Sequence, residues 1–191
     1  MIIHAKSITI LGNIMEIIVN GIKYELRTKE HGAYVVANDY KGEITIPAQI
    51  IVDGLPIKVI GIARAAFSYC KDVTAISLPK GLTTIETDAF KDLKYITEIC
   101  IPESVVTIGE EAFSQCENLK KVVLPSKLNH LSAGLFSCCT SLENISVPQP
   151  VKIIDYRCFS YCSNLKNIVL PEGLQKIESY AFQSCESIEK I

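Results

Sequence analysis

No stretch of this chain approaches the ~20 consecutive apolar residues that a membrane span requires, so membrane insertion is not expected. No basic stripe is visible, and the net charge is −2. A nucleic-acid partner therefore has little electrostatic support. The opening, MIIHAKSITILGNIME, makes a poor secretory leader: its apolar run is broken and no small-residue cleavage site follows at the right distance. Dinucleotide, phosphate-loop, nucleophile-elbow and zinc-protease fingerprints are all missing. The three histidines, His4, His31 and His130, keep no company with the eight cysteines. A zinc site needs converging ligands. No catalytic residue, cofactor or metal is expected, and the chain reads as a non-enzyme. What is present is apolar: 48% of the 191 residues, enough for one or at most two packed domains.

The apolar residues are not scattered. Phenylalanines fall at 67, 90, 113, 136, 159 and 182, every step being 23. Prolines at 79, 102, 125, 148 and 171 keep the same step. Cysteines 70, 116, 139, 162 and 185 each lie three residues after a Phe, and Leu93 fills the one vacant slot. Five before each Phe stand Ile62, Ile85, Ile108, Leu131, Ile154 and Ile177. Six after stand Val73, Ile96, Leu119, Leu142, Leu165 and Ile188. Nine after stand Ile76, Ile99, Val122, Ile145, Ile168 and Ile191. So many independent positions holding one period signal a solenoid.

Within one unit, IPESVVTIGEEAFSQCENLKKV, the run Leu119-x-x-Val122-x-Leu124 is an L-x-x-L-x-L strand pattern. Proline ends that strand because it has no N–H to donate. A short extended piece follows near Val105–Ile108, then a compact helical turn over Glu110–Cys116. Glu86, Asp155 and Glu178, four before their Phe, read as N-caps of such turns. The units LPKGLTTIETDAFKDLKYITEI, IPESVVTIGEEAFSQCENLKKV and VPQPVKIIDYRCFSYCSNLKNI resemble the BspA-like (Treponema pallidum-type) leucine-rich repeats, over about residues 43–191. That resemblance implies a right-handed β/α solenoid, with a parallel sheet on the concave side and short helical turns on the convex side. It also implies a setting outside the cell or at its surface, often as an adhesin that binds host or bacterial proteins. A cytoplasmic location is the alternative.

The first unit is irregular. Pro47 to Pro79 spans 32 residues, nine more than the period, and the surplus lies around Asp53-Gly54, a tight-turn signal. Upstream, Asn20-Gly21 separates two strand-like runs, a strong hairpin signal. Residues 14–46 read as a β cap over the first coil, since a solenoid's end otherwise exposes its interior. The division expected is 1–46, N-terminal segment and β cap, and 47–191, solenoid. Residues 1–13 find no place in it. Ile188 and Ile191 begin a strand that is not completed, so the C-terminal edge is expected to associate end to end with another copy or to fray, unless further sequence follows.

Cys158 and Cys162 both occupy core slots of the period, where cysteine acts as a small hydrophobe. Stacked strands sit ~4.7–4.9 Å apart, beyond the ~3.5–4.5 Å that bridged Cβ atoms prefer. Cys116, Cys139, Cys162 and Cys185 are therefore expected to form a column of free, buried thiols. Cys100 and Cys138 fit no such slot and are expected outside. The sequon Asn144-Ile-Ser146 lies on an expected strand and is discounted as a glycosylation site.

Strand alternation turns Ala75, Ser77, Glu98, Cys100, Lys121, Val123, Asn144, Ser146, Asn167 and Val169 outward. These form two columns, mostly small or polar and without an aromatic. They are the candidate partner-binding face, suited to a protein or an extended peptide. The alternative is a structural spacer of a longer surface protein, with binding done elsewhere.

Overall fold

The computed structural model describes residues 8–11 and 14–189. β1 (Ile8–Leu11), β2 (Ile14–Val19), β3 (Ile22–Arg27) and β4 (Gly32–Val35) form an antiparallel meander. The β2–β3 turn is Asn20-Gly21, with φ of 51° and 80°. Two positive φ values in succession match the twist of a two-residue hairpin. The surplus of the first unit is a second hairpin, β6 on β7, folded at Asp53-Gly54. It follows β5 (Gly42–Thr45) and comprises β6 (Gln49–Val52) and β7 (Leu55–Ile62). β4 pairs in parallel with β7, which joins the meander to the repeats. β5 pairs in parallel with β8 (Val73–Ser77), a repeat strand.

From there each coil contributes two short strands. One series is β9 (Thr84–Ile85), β11 (Thr107–Ile108), β13 (His130–Leu131), β15 (Ile153–Ile154) and β17 (Lys176–Ile177). The other is β10 (Glu98–Cys100), β12 (Lys121–Val123), β14 (Asn144–Ser146) and β16 (Asn167–Val169), which continues β5 and β8 as the strand face. All pairings within the two series are parallel and register residues 23 apart, as in Glu98↔Lys121 and Asn144↔Asn167. After each strand-face segment the proline carbonyl accepts from the N–H three residues on, as in Val105 to Pro102 at 2.9 Å, and this turns the chain.

The expected helical turns are not there: among the described residues there is no helix. The residues two before and two after each Phe take the left-handed conformation, Glu111 (53°) and Gln115 (63°) in the coil of Phe113. Alternating left- and right-handed residues point every second N–H along the solenoid axis. Glu111, Phe113 and Gln115 donate to Ala133, Leu135 and Ser137 of the next coil at 2.9, 3.0 and 2.7 Å. The same triplet of bonds recurs from coil to coil, satisfying backbone groups that a helix would satisfy internally. With no helix to cap, the three acidic residues take other partners. Glu86 bonds Arg27 and the N–H of Arg64, Asp155 takes the N–H of Tyr156 and faces His130, and Glu178 pairs with Lys176.

The main core cluster runs from Ile17 to Ala181, with a small second cluster of Tyr34, Val36 and Ala63 beside it. Its spine is the Phe column, with successive centroids 5.2–5.7 Å apart and near-parallel rings. Tyr40 closes the column on the N-terminal side, 4.6 Å from Phe67, and its hydroxyl donates to the carbonyl of Val36 at 2.7 Å. Phe113 is fully buried, whereas Phe182 is half-buried. Ile191, on which the uncapped-edge expectation rests, lies outside the described residues.

Candidate functional site

The ten residues of the candidate face are all exposed. Their inward neighbours Ile99, Ile101, Val122, Leu124, Ile145, Val147 and Ile168 are buried, while Ile76, Leu78 and Leu170 are half-buried. The face is assembled from three hydrogen-bonded pairs, β5–β8, β10–β12 and β14–β16. β8 and β10 lie side by side without that pairing.

At the β8–β10 seam the face sinks into an open trough of about 870 Å³. It gathers six of the ten residues: Ala75, Ser77, Glu98, Cys100, Lys121 and Val123. The depth follows from residue size, because the outward positions of β8 are only Ala and Ser. Their short side chains leave Ile76 and Leu78 half-accessible as an apolar floor, with buried Ile99 beneath it. Asn144, Ser146, Asn167 and Val169 are not part of the trough. They continue the face on β14 and β16, where the Asn167 amide donates to the Asn144 carbonyl at 2.8 Å.

The rim was not foreseen. Lys80, Gly81, Glu103 and Ser104 follow the repeated prolines by one or two residues and wall the trough on one side. Read along the period, those positions form a third column beside the two outward ones, and that was the available signal. The wall is tied from coil to coil. Ser104 Oγ donates to the carbonyl of Leu82 at 2.7 Å and accepts from the N–H of Gly81 at 3.1 Å. Glu103 accepts from both the hydroxyl and the N–H of Ser126, at 2.6 and 2.9 Å, and these bonds hold its carboxyl below the usual range. Glu98 and Lys121 stand in register across β10 and β12. Neither they nor Lys80 is in an ion pair among the described residues.

All eight thiols are free. Cys116, Cys139, Cys158 and Cys162 are buried, Cys185 and Cys138 are half-exposed, and Cys100 is exposed in the trough. Burial pushes the Cys116 thiol up to about 12 and those of Cys139, Cys158 and Cys162 well above their ordinary range. A thiol held protonated is neither nucleophile nor metal ligand. No grouping of His, Cys, Asp or Glu that could hold a metal ion occurs among the described residues.

The family model described as BspA type leucine rich repeat region matches this chain in six copies, over residues 54–166 and 84–191. No curated protein sequence matches it. Among solved structures, a leucine-rich repeat protein of T. pallidum is similar, with 28% identity and a TM-score of 0.74 over 88% of each chain. A leucine-rich repeat protein from Eubacterium ventriosum has 22% identity and a TM-score of 0.72, over 92% of this chain. This chain spans only 51% of the length of that protein. A third such protein, from Bacteroides ovatus, has 25% identity and a TM-score of 0.54, over 86% of this chain and 55% of its own. The period, the coil geometry and the match across more than half of its length agree: the chain belongs to the BspA-type leucine-rich repeat family.

Proposed function

We propose that this chain is a non-enzymatic protein-binding module, adhesin-like, acting at a cell surface or outside the cell, and that it engages its partner through the strand face. The observation that carries this is the trough. Six of the ten outward residues line a single concavity with an apolar floor, two unpaired lysines and a wall pinned by inter-coil hydrogen bonds. A contact surface with a desolvated apolar centre and a polar rim is the usual anatomy of protein interfaces. The trough is open and crosses three strands, which favours an extended peptide or a loop of a protein partner over a small enclosed ligand. The extracellular setting rests on family membership alone.

The test is a capture experiment on bacterial and host surface extracts with three forms of the chain. They are the parent, Lys121→Glu with Asn144→Lys on the strand face, and Lys94→Glu with Gln115→Lys on the outer turns. A protein retained by the parent and the outer-turn variant but lost by the strand-face variant supports the reading. Loss with the outer-turn pair alone moves the site to the other side. No capture by any form at high concentration favours a spacer role.

A further inference from the structure

The chain has three arginines, Arg27, Arg64 and Arg157, and two of them lie over tyrosine rings. Arg27 has its guanidinium carbon 3.8 Å from the centroid of Tyr34. Its terminal nitrogens Nη1 and Nη2 reach the two carboxylate oxygens of Glu86, at 2.5 and 3.4 Å, and its Nε donates to Glu25 at 3.1 Å. Arg157 lies 5.1 Å from the centroid of Tyr156 and 5.7 Å from that of Tyr180. Those two rings meet edge to face at 5.8 Å. Yet no carboxylate among the described residues is within ion-pair distance of Arg157. The acidic residues that stand two before Arg157 and Tyr180 are already engaged: Asp155 by His130 and the N–H of Tyr156, Glu178 by Lys176.

The cluster is open and firmly mounted. Tyr156 is 41% exposed and Tyr180 57%. Arg157 and Tyr180 occupy the same left-handed turn position in successive coils, and the Arg157 N–H donates to the carbonyl of Ser179 at 3.3 Å. A guanidinium steadied against aromatic rings keeps its planar fork free for a bidentate partner, and the partner that fits the fork is a carboxylate or a phosphate. Arg27 shows within the same molecule what completes an Arg–Tyr pair: the carboxylate of Glu86.

We propose that Tyr156, Arg157 and Tyr180 form a second interaction surface, on the outer turns, that takes a carboxylate side chain from an acidic segment of a partner polypeptide. The acid closes on the Arg157 fork as Glu86 closes on Arg27. An apolar residue beside it in the segment covers the exposed ring of Tyr180. Tyr and Arg are the residue types that dominate interface energetics, and the strand face has neither. The outer turns thus supply the anchors that the trough lacks.

The test uses the full chain and two fluorescein-labelled decapeptides, one alternating glutamate with leucine and the other glutamine with leucine, read by fluorescence anisotropy. The acidic peptide should bind at least about tenfold more tightly than the neutral one. Arg157→Lys, which keeps the charge but loses the fork, should weaken it by about tenfold, and Tyr180→Ala likewise. In ¹⁵N-labelled protein the Arg157 Nε–H resonance should shift on titration with the acidic peptide, a readout independent of how any variant folds. Lys121→Glu with Asn144→Lys should leave the affinity unchanged, which separates this surface from the strand face. Equal binding of the two peptides, or unchanged affinity in Arg157→Lys, would overturn the proposal. So would a resonance that responds to 3′-sialyllactose, an anionic glycan, but not to the acidic peptide.

Discussion

Phe113, Phe136 and Phe159 each present a carbonyl that accepts twice. One donor is the N–H three residues later in the same coil, and the other is the cysteine thiol of the following coil. Cys139, Cys162 and Cys185 sulfurs reach Phe113, Phe136 and Phe159 oxygens at 3.1, 3.1 and 3.0 Å. A thiol is small enough for the slot and carries the weak donor that the spare lone pair can use. The surrounding burial keeps it protonated. At neutral pH, iodoacetamide should label Cys100 within the folded protein and leave Cys116, Cys139 and Cys162 untouched until denaturant is added, all then labelling without reductant. Peptide mass spectrometry showing early labelling of Cys139, or a bridge between slots, would break this account. A second residue-scale test is Gly134, at φ +62° in a position where other coils carry strained non-glycine residues. A Cβ there would sit 2.8 Å from Cγ of Glu111, whose carboxylate holds Lys91. Gly134→Ala should cost ~1–2 kcal/mol in chemical denaturation, and an unchanged midpoint would mean that the turn relaxes freely.

Between elements, the N-terminal meander is clasped to the repeats by one carboxylate. Glu86 stands after β9 and meets Arg27 at the end of β3, 59 residues away in sequence. Partial burial opposes its ionisation, but the Arg27 hydrogen bond, the Arg64 N–H and the Arg27 charge together outweigh it and hold the carboxyl below its ordinary 4.5. A depressed carboxyl contributes stability above its unfolded value and loses it as pH falls through the folded one. The parent should therefore lose stability relative to Glu86→Gln on going from pH 7 to below 4.5. Parallel melting curves in that acid window would show that the clasp is silent. This clasp was out of reach of the sequence, as was Tyr40 atop the Phe column, because neither obeys the period. The ten outward residues, the hairpins at Asn20-Gly21 and Asp53-Gly54 and the thiol column up to Cys162 were legible, since each depends on alternation or on turn chemistry within one coil; Cys185, expected buried, is half-exposed. The outer turns misread as helical, because what decides them is a bond from each second N–H to the next coil. The trough escaped notice for a related reason. Its depth comes from Ala75 and Ser77 lying beside Cys100, a juxtaposition that exists only once the coils are stacked.

For the molecule as a whole, every coil is joined to the next by one Phe stacking contact and three outer-turn backbone bonds, but strand pairing is not uniform: neither β11 with β13 nor β12 with β14 is paired, so the coils of Phe113 and Phe136 meet without it. The apolar cluster runs unbroken from Ile17 in the meander to Ala181 in the coil of Phe182. In such a quasi-linear array stability is a sum of repeat terms and nearest-neighbour interfaces, so cooperativity depends on no interface being much weaker than the rest. Phe113 lies mid-stack, fully buried, with ring neighbours at 5.2 and 5.7 Å. Phe113→Ala removes both stacking contacts and leaves a cavity between two coils, at a cost of ~3–5 kcal/mol. If stacking and the outer-turn bonds suffice to match that interface to the others, the loss is shared: hydrogen–deuterium exchange should quicken together in β3, which ends at Arg27, and in the turn of Phe159 beyond the substitution. Acceleration confined to the coils of Phe90, Phe113 and Phe136, with β3 still protected, would mean that the meander and first coils fold apart from the others. The Phe column would then be a series of local contacts and not one spine.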